Sequence, residues 1–153
     1  MPPADCTLGP RLLTGLANNH GFVFGARIGS ELVGFAYGFP CLPDSWTPPY
    51  LYLQLIVVHP EHQGNRIGRT MMGALADFAL ARGLLTVRWA FDPVDTRNAH
   101  FYLDVIGAAA QQFVPDMYGA AADAPTDRVI AEWDLTDYAG PTILHAPRGA
   151  STC

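Results

Sequence analysis

The chain reads as a series of apolar runs whose period shifts from two to nearly four and back. Arg11 to Asn19 predicts a short helix. Phe22 to Arg27 and Leu32 to Phe39 are β-prone and flank Gly29-Ser30, which predicts a hairpin of strands Gly21–Arg27 and Glu31–Gly38. After a Pro-rich loop, Pro40 to Pro49, the run Tyr50 to Val58 is aromatic and β-branched throughout, the pattern of a central strand buried on both faces. From Arg66 to Arg82 the period lengthens: Ile67, Met71, Leu75 and Phe78 fall at steps of four, four and three, an apolar helical stripe that Gly83 ends. Leu84 to Phe91 predicts another strand and Thr96 to Ile106 a second helix closed by Gly107. Ala108–Val114 and Arg128–Leu135 predict two last strands, separated by a loop holding Gly119, Asp123 and Pro125. This order predicts an α/β or α+β fold, one sheet with helices packed on it.

Length and composition narrow the class. The 153 residues fit one domain over 1–135, followed by a Gly- and Pro-bearing stretch, 136–153, that predicts an irregular tail. Half of the residues are hydrophobic and 15% are charged, which excludes intrinsic disorder. A net charge of −5 argues against a nucleic-acid partner, although all nine basic residues are Arg. Cys6, Cys41 and Cys153 form no CxxC pair, so neither a disulfide framework nor a zinc site is expected. The N-terminus lacks the pattern of a signal peptide, and Leu51 to Val58 is far short of a bilayer span. The expectation is a cytoplasmic protein with no membrane partner.

The candidate chemistry sits between Val57 and Arg69. A strand ends, Pro60 turns the chain, and a loop containing Gly64 feeds a helix. Such a loop leaves backbone N–H groups converging on one spot, where the helix dipole adds positive charge; the ligand expected there is a phosphate or pyrophosphate. Arg66 and Arg69 fall in a first helical turn, which the dipole disfavours by roughly 0.3–1 kcal/mol each. A bound anion would reverse that sign; the alternative is that both side chains point into water. The loop matches neither the triphosphate-binding Gly-Lys-Ser/Thr pattern nor GxGxxG.

The run Val58-x-Pro60-Glu61-x-Gln63-Gly64-x-x-Ile67-Gly68, between a strand and an apolar helix, resembles the acyl-coenzyme A loop of the GNAT N-acyltransferase superfamily. Gln63, Gly64, Ile67 and Gly68 fit that pattern in register, while position 66 is Arg where Gly is usual. Trp89-x-Phe91-Asp92-Pro93, Asn98-Ala99-His100-Phe101, Gly107-Ala108, Tyr118-Gly119, Pro125-Thr126-Asp127-Arg128 and Glu132-Trp133 resemble one bacterial branch of predicted acetyltransferases within it. The likeness spans about Gly21 to Leu135.

What the resemblance implies is a mixed, mostly antiparallel central sheet flanked by helices, with a shortened N-terminal region. It implies a strand around Leu53–Val58 that splays from Leu84–Phe91 to admit a pantetheine arm. The implied cofactor-binding residues are Ile56, Val57 and Val58 on that strand, Gln63, Gly64, Asn65, Arg66, Ile67, Gly68 and Arg69 in the loop, and Asn98. Acetyl-CoA or another acyl-CoA would be the cosubstrate, with no permanent cofactor and no metal. The implied reaction is direct acyl transfer to the amine of a small molecule or amino acid; the alternative is a non-catalytic acyl-CoA-binding module or partner subunit with the same fold. The superfamily's usual Tyr, four residues before the Gly that ends the second helix, falls here on Leu103. Tyr102 lies about a hundred degrees round a regular helix from it. Tyr102 is a candidate acid and Asp92 a candidate base, with a core role for Tyr102 and a turn cap for Asp92 as the alternatives. His59 and His62 lack metal-ligand spacing, Asp127-Arg128 is either an acceptor contact or a local ion pair, and no GxSxG or Cys context suggests a covalent intermediate. About twenty residues precede the hairpin, too few for the strand and helices that usually wall the acceptor site. The pocket is therefore open or completed by a partner in a homodimer.

Overall fold

The structure is a computed structural model and describes residues 8–119 and 124–140; Cys6, Cys153, Asp123 and the tail beyond Gly140 lie outside the described residues. The elements in chain order are α1 (Pro10–Asn18), β1 (Phe22–Ile28), β2 (Glu31–Cys41), β3 (Tyr50–Val58), a single 3₁₀ turn (Pro60–His62), α2 (Ile67–Leu80) and β4 (Thr86–Phe91). A short α3 (Thr96–Ala99) continues as a π-helix (His100–Val105), and β5 (Ala109–Val114) and β6 (Arg128–Asp134) complete the chain. Six strands form one mixed sheet in the order β1-β2-β3-β4-β6-β5. Every pairing is antiparallel except β3 with β4. The fold is the α/β architecture that the pattern predicts.

The alternation of each strand separates two faces. Phe22, Ala36, Leu51, Leu53, Val87, Trp89, Phe91 and Ala131 are buried and form one cluster with Met72, Leu75, Ala76 and Ala79 of α2. Burying each large side chain contributes about 1.5–3 kcal/mol relative to leaving it exposed, so this layer is what holds the sheet to the helices. On the opposite face β2 and β3 present aromatics: Phe35 lies 6.0 Å from Tyr37 and Phe39 lies 5.6 Å from Tyr52, ring to ring. There too Arg88 Nε donates to Glu132 Oε2 at 2.7 Å, joining β4 to β6.

Two departures from the expected pattern bear on function. First, β3 is buried along its opening half only: Leu51 is fully buried, whereas Leu55 and Val57 are 37% and 48% exposed. The change follows a β-bulge. Tyr37 pairs with Leu55 but Gly38 with Leu53, so Gln54 is an extra residue on β3. Gly38 accommodates it because a Cβ there would overlap the Tyr52 carbonyl oxygen and the Phe22 ring. Second, the helix expected over Thr96–Ile106 is not regular. From His100 it is a π-helix, in which the Ile106 N–H reaches back five residues to the Phe101 carbonyl.

Candidate active site

The sheet opens between β3 and β4. They pair only at Leu51 with Val87 and at Tyr52 with Arg88, whereas β4 stays paired with β6 up to Phe91 with Val129. Beyond Tyr52 the two parallel strands part. The backbone edge of β3 facing β4 therefore has no sheet partner from the bulge to Val58, although its other edge remains bonded to β2. Backbone N–H groups need acceptors, and on this edge they are left to solvent or to a guest in the cleft.

The loop after β3 frames the wide end of this opening. The His59 N–H donates to the Val33 carbonyl at 2.8 Å, and Gln63 Nε2 donates back to the Val58 carbonyl at 3.0 Å, which ties the loop to the strand it leaves. Gly64 has φ +86 and Arg66 has φ +62, both left-handed. That turn aims the start of α2 at the cleft, and it explains why a glycine suits position 66. No side chain caps α2, so the N–H groups of its first turn remain free of intrahelical and side-chain partners. Ile67 tucks against the core, while Arg66 and Arg69 face the cleft.

The opposite wall is α3 and its π-helical continuation. Asp95 caps it, accepting from the Asn98 N–H and from Asn98 Nδ2, both at 3.0 Å. Tyr102 is buried against Trp89 and Phe91, with ring centroids 5.1 and 5.5 Å apart. Burial first, and the Asp95 charge second, push its phenol up to about 12, so it stays protonated at neutral pH. The π-helix is what brings it here. A turn closed over five residues takes up one extra position before Gly107, and Tyr102, not Leu103, lines the cleft. The expectation that Tyr102 would be turned away assumed a regular helix and is corrected by that insertion.

Together these walls enclose a cleft of about 620 Å³, within the range of small-molecule sites. Ile56, Val57, Val58, Gln63, Gly64, Arg66, Ile67, Gly68, Arg69, Asn98 and Tyr102 all line it. Asn65 is exposed in the same loop but does not line the cleft. Asp92 lies outside it, its carboxylate accepting from the Val94 N–H at 2.9 Å as a turn cap. The pattern did not single out Arg97, Phe101 and Val105 as cleft residues. They fall at steps of four beside Asn98 and Tyr102, and that stripe was the available signal. His62 and His100 line it as well; His62 approaches Glu31 at 3.7 Å and His100 bonds Asp104 at 2.8 Å. Three arginines face one lining carboxylate, Asp95, in a chain whose net charge is negative. No group of three potential metal ligands occurs among the described residues.

The family model described as acetyltransferase (GNAT) family matches residues 3–108. The chain belongs to that family. A curated relative, the N-alpha-acetyltransferase RimI of Mycobacterium tuberculosis, is 45% identical over 65 residues, 42% of this chain and 39% of its own length. The matched stretch spans 17% and 39% of the two curated relatives' lengths, well under half of either. Among solved structures, a GNAT family acetyltransferase from Elizabethkingia anophelis with acetyl-CoA bound superposes at TM-score 0.67 with 14% identity, covering 83% of this chain and 84% of that one. The ribosomal-protein-S18-alanine N-acetyltransferase of Escherichia coli superposes at TM-score 0.68 with 17% identity, covering 86% and 80%. At such identities the superpositions establish the GNAT fold. Within this GNAT chain the departure at position 66 is now physical: Arg66 occupies the left-handed conformation that glycine adopts without strain. No helix among the described residues is long and apolar enough to cross a membrane.

Proposed function

We propose that the protein is an N-acetyltransferase that moves the acetyl group of acetyl-CoA directly onto the amine of a small molecule or amino acid. The observation that carries this reading is the opened β3–β4 edge leading straight from an uncapped, arginine-flanked helix start. The name of the Mycobacterium tuberculosis relative and the acetyl-CoA bound in the Elizabethkingia anophelis structure support it. The N–H groups of α2's first turn, with Arg66 and Arg69, suit a pyrophosphate. The free edge of β3 suits the amides of a pantetheine arm, and one of its N–H groups would polarise the thioester carbonyl.

In the reaction a neutral amine attacks the carbonyl carbon, the C–S bond breaks and the thiolate leaves. The amine's surplus proton passes to a base or to water. Tyr102 stands at the cleft as a protonated phenol and would hydrogen-bond the departing thiolate. Cys41, the free thiol among the described residues, sits at the far end of β2, and burial pushes its pKa up. A covalent acyl-enzyme finds no support in it.

Two measurements test the proposal. Coenzyme A at about 100 times its Kd should raise stability by about 2.7 kcal/mol, and no stabilisation at millimolar CoA would refute the site. Thiol release from acetyl-CoA with a panel of amines then distinguishes transfer from binding alone.

A further inference from the structure

Resting on the acetyl-transfer reading, we infer that the acceptor is an amine that also carries a carboxylate, an amino-acid-type zwitterion, and that Arg128 beside Tyr118 holds its carboxylate on the open face of the sheet.

The acyl donor enters from the side of α2 and the π-helix, so the amine has to come through the opposite mouth of the β3–β4 opening. Strand register defines that mouth. Tyr37 pairs with Leu55 across β2 and β3, Tyr52 pairs with Arg88 at the point where β3 and β4 part, and Ala90 pairs with Ile130 across β4 and β6. Arg128 is the first residue of β6, next to the last β4–β6 pair, Phe91 with Val129, and by alternation it shares the open face with Ile130 and Glu132. Tyr118, on the β5–β6 connection, lies near enough to Tyr37 and Tyr52 that, after burial itself, its charge raises both phenols.

Arg128 is also held ready. Its Nη1 donates to the Asp127 carbonyl at 2.8 Å, and its guanidinium carbon sits 5.4 Å from the Tyr118 ring centroid. The loop that carries this pair is locked. Thr126, 6% exposed, donates to Asp116 Oδ1 at 2.9 Å and accepts from the Tyr118 N–H at 3.1 Å, while Asp127 Oδ1 accepts from the Asp116 N–H at 2.8 Å. The Asp116 and Asp127 carboxylates are thus engaged within the loop.

The contrast with Arg88 is what makes Arg128 informative. Both are half-buried arginines on the same face, but Arg88 is neutralised by Glu132, whereas Arg128 makes no ion pair among the described residues. A positioned guanidinium with donors to spare, at the mouth where an amine must arrive, matches a carboxylate on that amine.

The test uses the full chain, acetyl-CoA and matched acceptor pairs, each amino acid against its own carboxamide, with thiol release as the readout. The acid should exceed the amide in kcat/KM by roughly 10- to 100-fold. In Arg128→Gln that ratio should collapse toward one while CoA affinity, which reports an intact fold, is retained; Arg128→Lys should restore part of the preference. Transfer to acids and amides alike, transfer to peptide N-termini in preference to amino acids, or a preference that survives in Arg128→Gln would each overturn the inference and leave the acetyl-transfer reading standing. CoA binding without transfer to any amine would overturn both.

Discussion

The ring of Tyr102 lies 5.1 Å from that of Trp89, centroid to centroid, with the two planes at 58°. This contact fixes the phenol at the cleft wall, within a π-helix that shifts it by one position toward the opening of the sheet. With its pKa raised to about 12, Tyr102 is protonated at neutral pH, and in the proposed reaction it would donate a hydrogen bond to the departing thiolate. Tyr102→Phe is expected to lower kcat by roughly 10- to 100-fold, the worth of one charged hydrogen bond, with CoA affinity unchanged. Equal rates in the two proteins would remove Tyr102 from the chemistry.

The same residue predicts an alkaline loss of stability. Its folded pKa is raised from 10.0 to about 12, so its contribution is complete below pH 10 and is lost as pH rises from 10 toward 12, where the unfolded chain ionises first. Burial raises Tyr37, Tyr50, Tyr52 and Tyr138 in the same direction, and the chain has no lysine to titrate in that window. Urea midpoints measured on either side of the window should fall, and Tyr102→Phe should reduce the fall by on the order of 2 kcal/mol.

Gly68 and Phe101 set the width of the cleft. A Cβ on Gly68 would lie 3.4 Å from Phe101 Cζ, so alanine fits at contact distance but a branched side chain does not. Gly68→Val should push Phe101 and the π-helix outward at a cost of about 1–3 kcal/mol. It should also weaken CoA binding by calorimetry far more than Gly68→Ala does. Equal affinities for the two variants would show that this wall plays no part in binding.

Arg66 separates stability from affinity. Its left-handed backbone costs roughly 1–2 kcal/mol, which glycine relieves. Arg66→Gly should therefore hold or raise Tm. CoA binding should weaken by a few-fold and lose part of its salt dependence, since an exposed charge near a helix start contributes about 0.3–1 kcal/mol.

Much of this protein was legible in its pattern because the signals are local. The bounds of β3 and the hairpin turn at Gly29-Ser30 follow from alternation and glycine placement, and the loop from Gln63 to Arg69 follows from a strand-to-helix transition around Gly64. Cleft residues on the second helix were legible only in part. Asn98 and Tyr102 stand out as polar groups, but Arg97, Phe101 and Val105 look like ordinary helix surface until the opposite wall is known. Asp92 shows the converse. Its position at a strand end suits a base or a cap equally, and only the Val94 N–H at 2.9 Å identifies the cap.

The sequence by itself determined the order of the elements, the glycine-bearing loop that leads into α2 and the family, because period, turn residues and short motifs act over a few neighbours. Tertiary structure alone decided where β3 leaves β4, that Arg66 takes a left-handed conformation and that a π-helix turns Tyr102 into the cleft. Each of these depends on an inserted or strained residue whose cost is offset by contacts distant in the chain. Gln54 bulges because Gly38 makes room, and Tyr102 is held by Trp89 and Phe91 on a strand that ends before the helix begins.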